Sequence, residues 1–215
     1  MTSGVIFDFH NTLVHADSLQ RWLLRASEQA NEPAAAVDQI LPVLRSVWGR
    51  AARRYPRGAW DLDPATHRRA FEDVLALESP CSTHLAAALY DTMPDQWVAV
   101  EGATELLEAL SSQGMRLAVV SNIALDIRPR LEELGMLSFL DVVVLSFEAG
   151  MVKPDPRIFE IAAHGMGLRT DDCVMVGDSP TADGGAVHAG MSALLVPVVD
   201  DMPLLAVATR LLARR

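Results

Sequence analysis

The chain has 215 residues, half of them hydrophobic, which suits one domain of ordinary size with a sizeable core and room for an inserted subdomain. Its formal net charge of -10 and pI near 5.0 argue against a broad phosphate-tracking surface, so nucleic acid is not an expected partner. No apolar stretch approaches the roughly 20 residues that span a bilayer. The N-terminus lacks the basic segment and apolar block of a signal peptide, and a cytoplasmic protein with no membrane partner is expected.

Val5, Ile6 and Phe7 run straight into Asp8-Phe9-His10-Asn11-Thr12-Leu13. An apolar run ending in an acid and then a turn reads as a buried strand that delivers a carboxylate to the edge of a sheet. From about Asp17 to Trp97 the text is rich in Ala, Leu and Arg, with several helical periods and little strand signal. Pro33, Pro42, Pro56, Pro64, Pro80 and Pro94 punctuate it into helices of modest length, because proline is tolerated mainly at first turns and breaks. This predicts a small helical subdomain over residues 17–97, inserted above the carboxyl ends of the strands of a core made from 1–16 and 98–215.

From Gly102 onward helix and strand alternate. Glu105 to Leu110 reads as helix, with Gly114 to end it, and Leu117 to Val120 as a buried strand. Leu131 to Leu134 reads as helix ended by Gly135, followed by a strand from Val142 to Leu145. A helix around Arg157 to His164 leads to the strand Val174 to Val176, and another around Ala186 leads to Leu194 to Val196. Apolar strands separated by helices imply an α/β fold, a Rossmann-like doubly wound parallel sheet covered on both faces, with five principal strands. Cys81 and Cys173 are far apart and form no CxxC, so neither a disulfide framework nor a thiolate zinc site is indicated, and Cys173 reads as a small core residue.

In a doubly wound sheet, residues at the carboxyl ends of neighbouring strands converge on one crevice. Asp8, Ser121 and Asp178 all sit at such ends. A buried carboxylate needs its charge offset, which singles out Ser121-Asn122, Lys153 before Pro154, and Gly177-Asp178-Ser179 with Asp183. Taken singly, each piece has an ordinary explanation: Asp8 capping a turn, Ser121-Asn122 capping a helix, Lys153 as a solvated loop residue, Asp178-Ser179 starting a helix.

Taken together and in this order, they resemble the four motifs of the haloacid dehalogenase superfamily, and the resemblance covers nearly the whole chain. It implies a helical cap that closes over the active site and selects substrate. Most members of the superfamily are magnesium-dependent phosphatases working through an aspartyl-phosphate. By that resemblance Asp8 is the nucleophile, and Mg2+ is held by Asp8, the backbone carbonyl of His10, and Asp178. Asp183 acts through water or by orienting Lys153. Lys153 neutralises phosphate and nucleophile, Ser121 and Asn122 meet the phosphoryl group with nearby backbone amides, and Thr12 helps position it.

One position departs from the pattern. The phosphatases carry a second Asp two residues after the nucleophile, and this chain carries His10. Imidazole titrates at about pH 6.5 when unperturbed, which suits the general acid and base of this step, although a cation beside magnesium is disfavoured. Dehalogenases place Tyr there and phosphonatases Ala. Asp178 retains the metal-binding carboxylate that dehalogenases do without, and the cap segment has no lysine for a phosphonatase Schiff base. The order of readings is therefore hydrolysis of a small phosphate ester, then 2-haloacid dehalogenation, then a non-catalytic protein that binds a phosphorylated ligand. A monomer and a homodimer both remain open.

The cap segment also carries Arg45, Arg50, Arg53, Arg54, Arg57, Arg68 and Arg69, interleaved with Trp48, Tyr55, Trp60 and His67. The arginines are expected on a solvated face, and Trp22, Trp48, Trp60 and Trp97 in the cap core or in cap-to-core contacts.

Overall fold

A computed structural model describes residues 2–32, 36–55 and 59–196, so Pro33, Pro56 and Arg57 lie outside the described residues. The described residues form two compact units, one from those up to His15 together with those from Ala99 to Val196, the other from those within Ala16–Val98.

The first unit is organised by a five-stranded sheet. Its strands are β1 (Gly4–Phe7), β4 (Arg116–Ser121), β5 (Val142–Leu145), β6 (Cys173–Gly177) and β7 (Ser192–Leu195), in the order β5-β4-β1-β6-β7. All pairings are parallel. Central position explains composition: every residue of β1 is buried, whereas the edge strands β5 and β7 are partly exposed. The helices α6 (Ala103–Ser112), α7 (Arg128–Glu133) and α9 (Pro156–Gly165) connect these strands. Ile158, Phe159, Ala162 and Ala163 of α9 pack with Ile6, Ala118, Val120 and Met175 into one buried cluster, and Cys173 belongs to it.

Gly114 and Gly135 follow α6 and α7 in the left-handed conformation, at φ of 75° and 71°, so the predicted helix ends are real. Around Ala186 the backbone winds as a 3-10 helix, Asp183–Ala189, rather than an α-helix. Its Gly184-Gly185 pair is poor α-helix material, and Gly190 closes the segment at φ 85°.

The second unit is helical: α1 (Leu19–Gln29), α2 (Val37–Arg45), α3 (Val47–Arg54), α4 (Pro64–Glu78) and α5 (Thr83–Asp91). Side chains fix three of the starts. Ser18, Asp63 and Ser82 each accept from a backbone N–H three residues on, at Arg21, Thr66 and Leu85. Pro64 occupies the first turn of α4 as expected, but Pro42 lies inside α2 rather than at a break, and α2 continues to Arg45. The interior is aromatic: Trp22, Phe71 and Tyr90 are buried, and His67 stacks on Trp48 with centroids 4.3 Å apart. Arg45, Arg53, Arg54 and Arg69 are exposed, while Arg50 pairs with Glu78 and Arg68 with Glu72 and Asp91. Two short strands, β2 (Val14–Ala16) and β3 (Trp97–Ala99), pair as a separate ribbon. Among the described residues no helix is long and apolar enough to cross a membrane.

Candidate active site

The site is assembled by register. Phe7 lies level with Val119 of β4 and Val176 of β6, and the N–H of Asp8 extends the ladder by one bond to Val176 C=O at 2.8 Å. Asp8, Ser121 and Asp178 therefore leave three adjacent strands at the same end, where the strand order reverses about β1. They line an open cleft of about 140 Å³ together with His10, Asn122, Lys153 and Asp183. Asn11 and Ser179 also face it.

Lys153 is the electrostatic centre. Its ammonium donates to Asp8 Oδ1 at 2.5 Å and to Asp183 Oδ1 at 2.7 Å, with only 3% of its side chain exposed. The reading of Lys153 as a solvated loop residue is thereby excluded. Burial works against its charge, but Asp8 and Asp183 outweigh that and hold the ammonium above its ordinary range. Burial also pushes the Asp8 carboxyl up to about 6, against the pull of Lys153. Asp183 is fully buried and committed at both oxygens, since its Oδ2 accepts from Ser179 N–H at 2.9 Å. It is placed to hold Lys153.

One oxygen each from Asp8, Asp178 and Asp183 lies within 4.8 Å of the others, a spacing that could hold a metal ion. Three carboxylates against one ammonium leave two negative charges, the complement of a divalent cation. An all-carboxylate donor set suits a hard ion. Asp183 also accepts from Lys153 and Ser179, and Asp8 from Lys153, so both carry bonds besides any they could make to a metal ion. Asn11 Nδ2 donates to Asp178 Oδ2 at 3.1 Å and steadies it.

The remaining residues singled out by sequence fall as follows. The Ser121 hydroxyl, at the end of β4, and the Thr12 hydroxyl, in the turn after β1, are both completely buried and have no hydrogen-bond partner among the described residues. Asn122 lines the cleft, and its carboxamide is bonded at both ends to the backbone of Lys153. His10 faces the cleft with its ring edge-on to Phe9, centroids 5.0 Å apart. Two partners were not foreseen, Asn11 and Ser146. For Asn11 the signal in the sequence was the residue type, because Asn tolerates the left-handed backbone found there. Both cysteines are buried and unlinked, and burial pushes their thiols up to about 11.

A family model described as haloacid dehalogenase-like hydrolase matches residues 2–190. The chain belongs to this family. Within the family it is 31% identical, over 91% of its own length and 86% of the relative's, to a glyceraldehyde 3-phosphate phosphatase of Methanothermobacter thermautotrophicus. It is also 31% identical to a phosphoglycolate phosphatase of Rhodospirillum rubrum, with coverage of 93% and 79%. A 2-haloacid dehalogenase structure from Pseudomonas syringae superposes with a TM-score of 0.66 at 22% identity, covering all of this chain and 99% of that one. That likeness bears on the fold alone: an α/β fold with a five-stranded parallel sheet and a helical insert.

Proposed function

We propose that this hydrolase is a magnesium-dependent phosphatase of small phosphate esters, acting through a covalent phosphoryl intermediate on Asp8. The observation that carries the reading is the charge at the cleft: Asp8, Asp178 and Asp183 crowded together with one ammonium among them. Displacement of halide from carbon does not call for the divalent cation that such a site favours. The two relatives named as phosphatases support the same substrate class.

Magnesium held by Asp8, Asp178 and the His10 carbonyl would offset the charge of the incoming phosphate. Asp8, ionised at neutral pH with a pKa of about 6, attacks phosphorus in line. Lys153 and the Ser121 hydroxyl meet the phosphoryl oxygens as charge shifts onto them. His10 gives its proton to the departing alcohol, then takes one from the water that attacks the same phosphorus, which frees phosphate and restores Asp8.

The test is hydrolysis of 4-nitrophenyl phosphate with and without Mg2+, in the native chain and Asp8→Asn. Magnesium-dependent turnover that vanishes in the variant is the expected result. Turnover of 2-haloacids alone would make the chain a dehalogenase, and binding of phosphate with no turnover of either would make it a non-catalytic binder.

A further inference from the structure

The chain contains a single lysine, and that lysine does not belong to a helix or strand. Lys153 lies in the loop between α8 (Ser146–Ala149) and α9, where no ladder fixes its backbone. Yet its ammonium must meet Asp8 and Asp183 at 2.5 and 2.7 Å while almost wholly buried. What replaces the ladder is one side chain. Asn122 Oδ1 accepts from Lys153 N–H at 2.7 Å, and Asn122 Nδ2 donates to Lys153 C=O at 3.0 Å. A carboxamide presents a donor and an acceptor side by side and so imitates a neighbouring strand.

The mount of Asn122 is itself held in the same manner. Ser146, fully buried, accepts from Ile123 N–H at 2.9 Å and donates to Ile123 C=O at 3.1 Å. One hydroxyl thus satisfies both backbone groups of the residue after Asn122, and the β4 loop is tied to the end of β5.

We propose that Asn122 is a positioning residue: its two-point clamp on the Lys153 backbone, on a loop held by Ser146, places the lysine's ammonium between Asp8 and Asp183. Its carboxamide is committed to this task rather than to substrate. The inference deepens the phosphatase reading and, in its kinetic part, rests on it.

Kinetics with 4-nitrophenyl phosphate and Mg2+ separate the two roles. In Asn122→Ala, kcat should fall by ~100-fold, the scale for a misplaced catalytic group, with KM within about threefold. Since Asn122 acts through Lys153, the double variant Asn122→Ala/Lys153→Met should be no slower than Lys153→Met alone. A raised KM at unchanged kcat, or losses that multiply in the double variant, would overturn the proposal in favour of substrate contact.

A second readout needs no turnover. Protein labelled with 13Cε-lysine gives one lysine resonance, that of Lys153, which in the Asn122→Ala variant should move toward the shift of a solvated lysine. An unchanged resonance would overturn the clamp even if the native chain hydrolysed no phosphate ester, an outcome that would separately defeat the phosphatase reading. Should the alanine variant not fold, Asn122→Asp is read by the same two measurements, because it is isosteric, keeps an acceptor for Lys153 N–H, and replaces the donor to Lys153 C=O with a carboxylate oxygen that repels it.

Discussion

The Asp183 carboxylate fills the space beside Gly177 that any side chain would need. A Cβ built on Gly177 would lie 2.2 Å from Asp183 Oδ2 and 2.3 Å from its Cγ. Asp183 has nowhere to retreat, being fully buried and bonded to Lys153 through one oxygen and to Ser179 N–H through the other. One methyl group at Gly177 should therefore push Asp183 off Lys153. Gly177→Ala is expected to lower kcat by ~100-fold and to destabilise the fold by roughly 1–3 kcal/mol, as overpacking does. Native-like turnover of 4-nitrophenyl phosphate in this variant would show that Asp183 does not hold the lysine.

Asn11 does for Asp178 what Asp183 does for Lys153. It sits at φ 56° and donates to Asp178 Oδ2 at 3.1 Å. Asn11→Gly preserves the left-handed backbone and removes only the carboxamide. Groups that orient a metal ligand are commonly worth 10–100-fold in affinity, so Mg2+ binding should weaken by about tenfold or more. Calorimetric titration of the variant with Mg2+ reads this directly, and equal affinity in the two proteins would remove Asn11 from the metal site.

His10, the proton carrier of the proposed reaction, faces the cleft two residues after Asp8. If it carries the proton to and from the reacting oxygens, His10→Asp should retain or raise hydrolysis, and His10→Gln, which cannot exchange a proton in this pH range, should lose it by ~100-fold or more. Both variants are compared on 4-nitrophenyl phosphate and on an alkyl phosphate. The poorer leaving group of the alkyl ester should magnify the defect of the Gln variant. An active Gln variant on both esters would place the proton carrier elsewhere.

The sheet was readable because burial on both faces forces continuous apolar strands. Val5 to Phe7, Leu117 to Val120 and Val174 to Val176 could occupy few other places, and the acids that end the first and third of these runs came with them. What sequence hid was partnership across loops. Nothing near Asn122 announces that its carboxamide would meet the backbone of Lys153, 31 positions away, or that Ser146 would bind Ile123. Such bonds depend on which loop backbones the sheet brings together. The same limit explains His67, which reads as one polar residue among arginines but lies buried against Trp48 and Tyr90. Pro42 was misread for a related reason, since a helix held by packed Ile40, Val43 and Leu44 can carry a proline past its first turn.

His67 and Asp61 give the cap opposite responses to acid. Burial pushes the His67 imidazole down to about 4 from its ordinary 6.5, with its Nδ1 2.8 Å from the Tyr90 hydroxyl. The unfolded chain therefore binds the extra proton first, and the stability contributed by neutral His67 is complete above pH 6.5 and is lost as pH falls toward about 4. For this pair of pKa values the loss reaches roughly 2 kcal/mol at pH 5. Asp61 runs the other way, because burial raises its carboxyl from 3.8 to about 6, so the fold is penalised for its charge above that pH and relieved as acid protonates it. Between pH 4 and 6 the two effects oppose each other, which flattens the native profile. Melting temperatures at pH 7.5 and 5.0 resolve them: His67→Gln should lose less stability on acidification than the native chain, and Asp61→Asn should lose more while melting higher at pH 7.5. Parallel shifts in all three proteins would mean that neither group titrates in the folded cap as its burial requires.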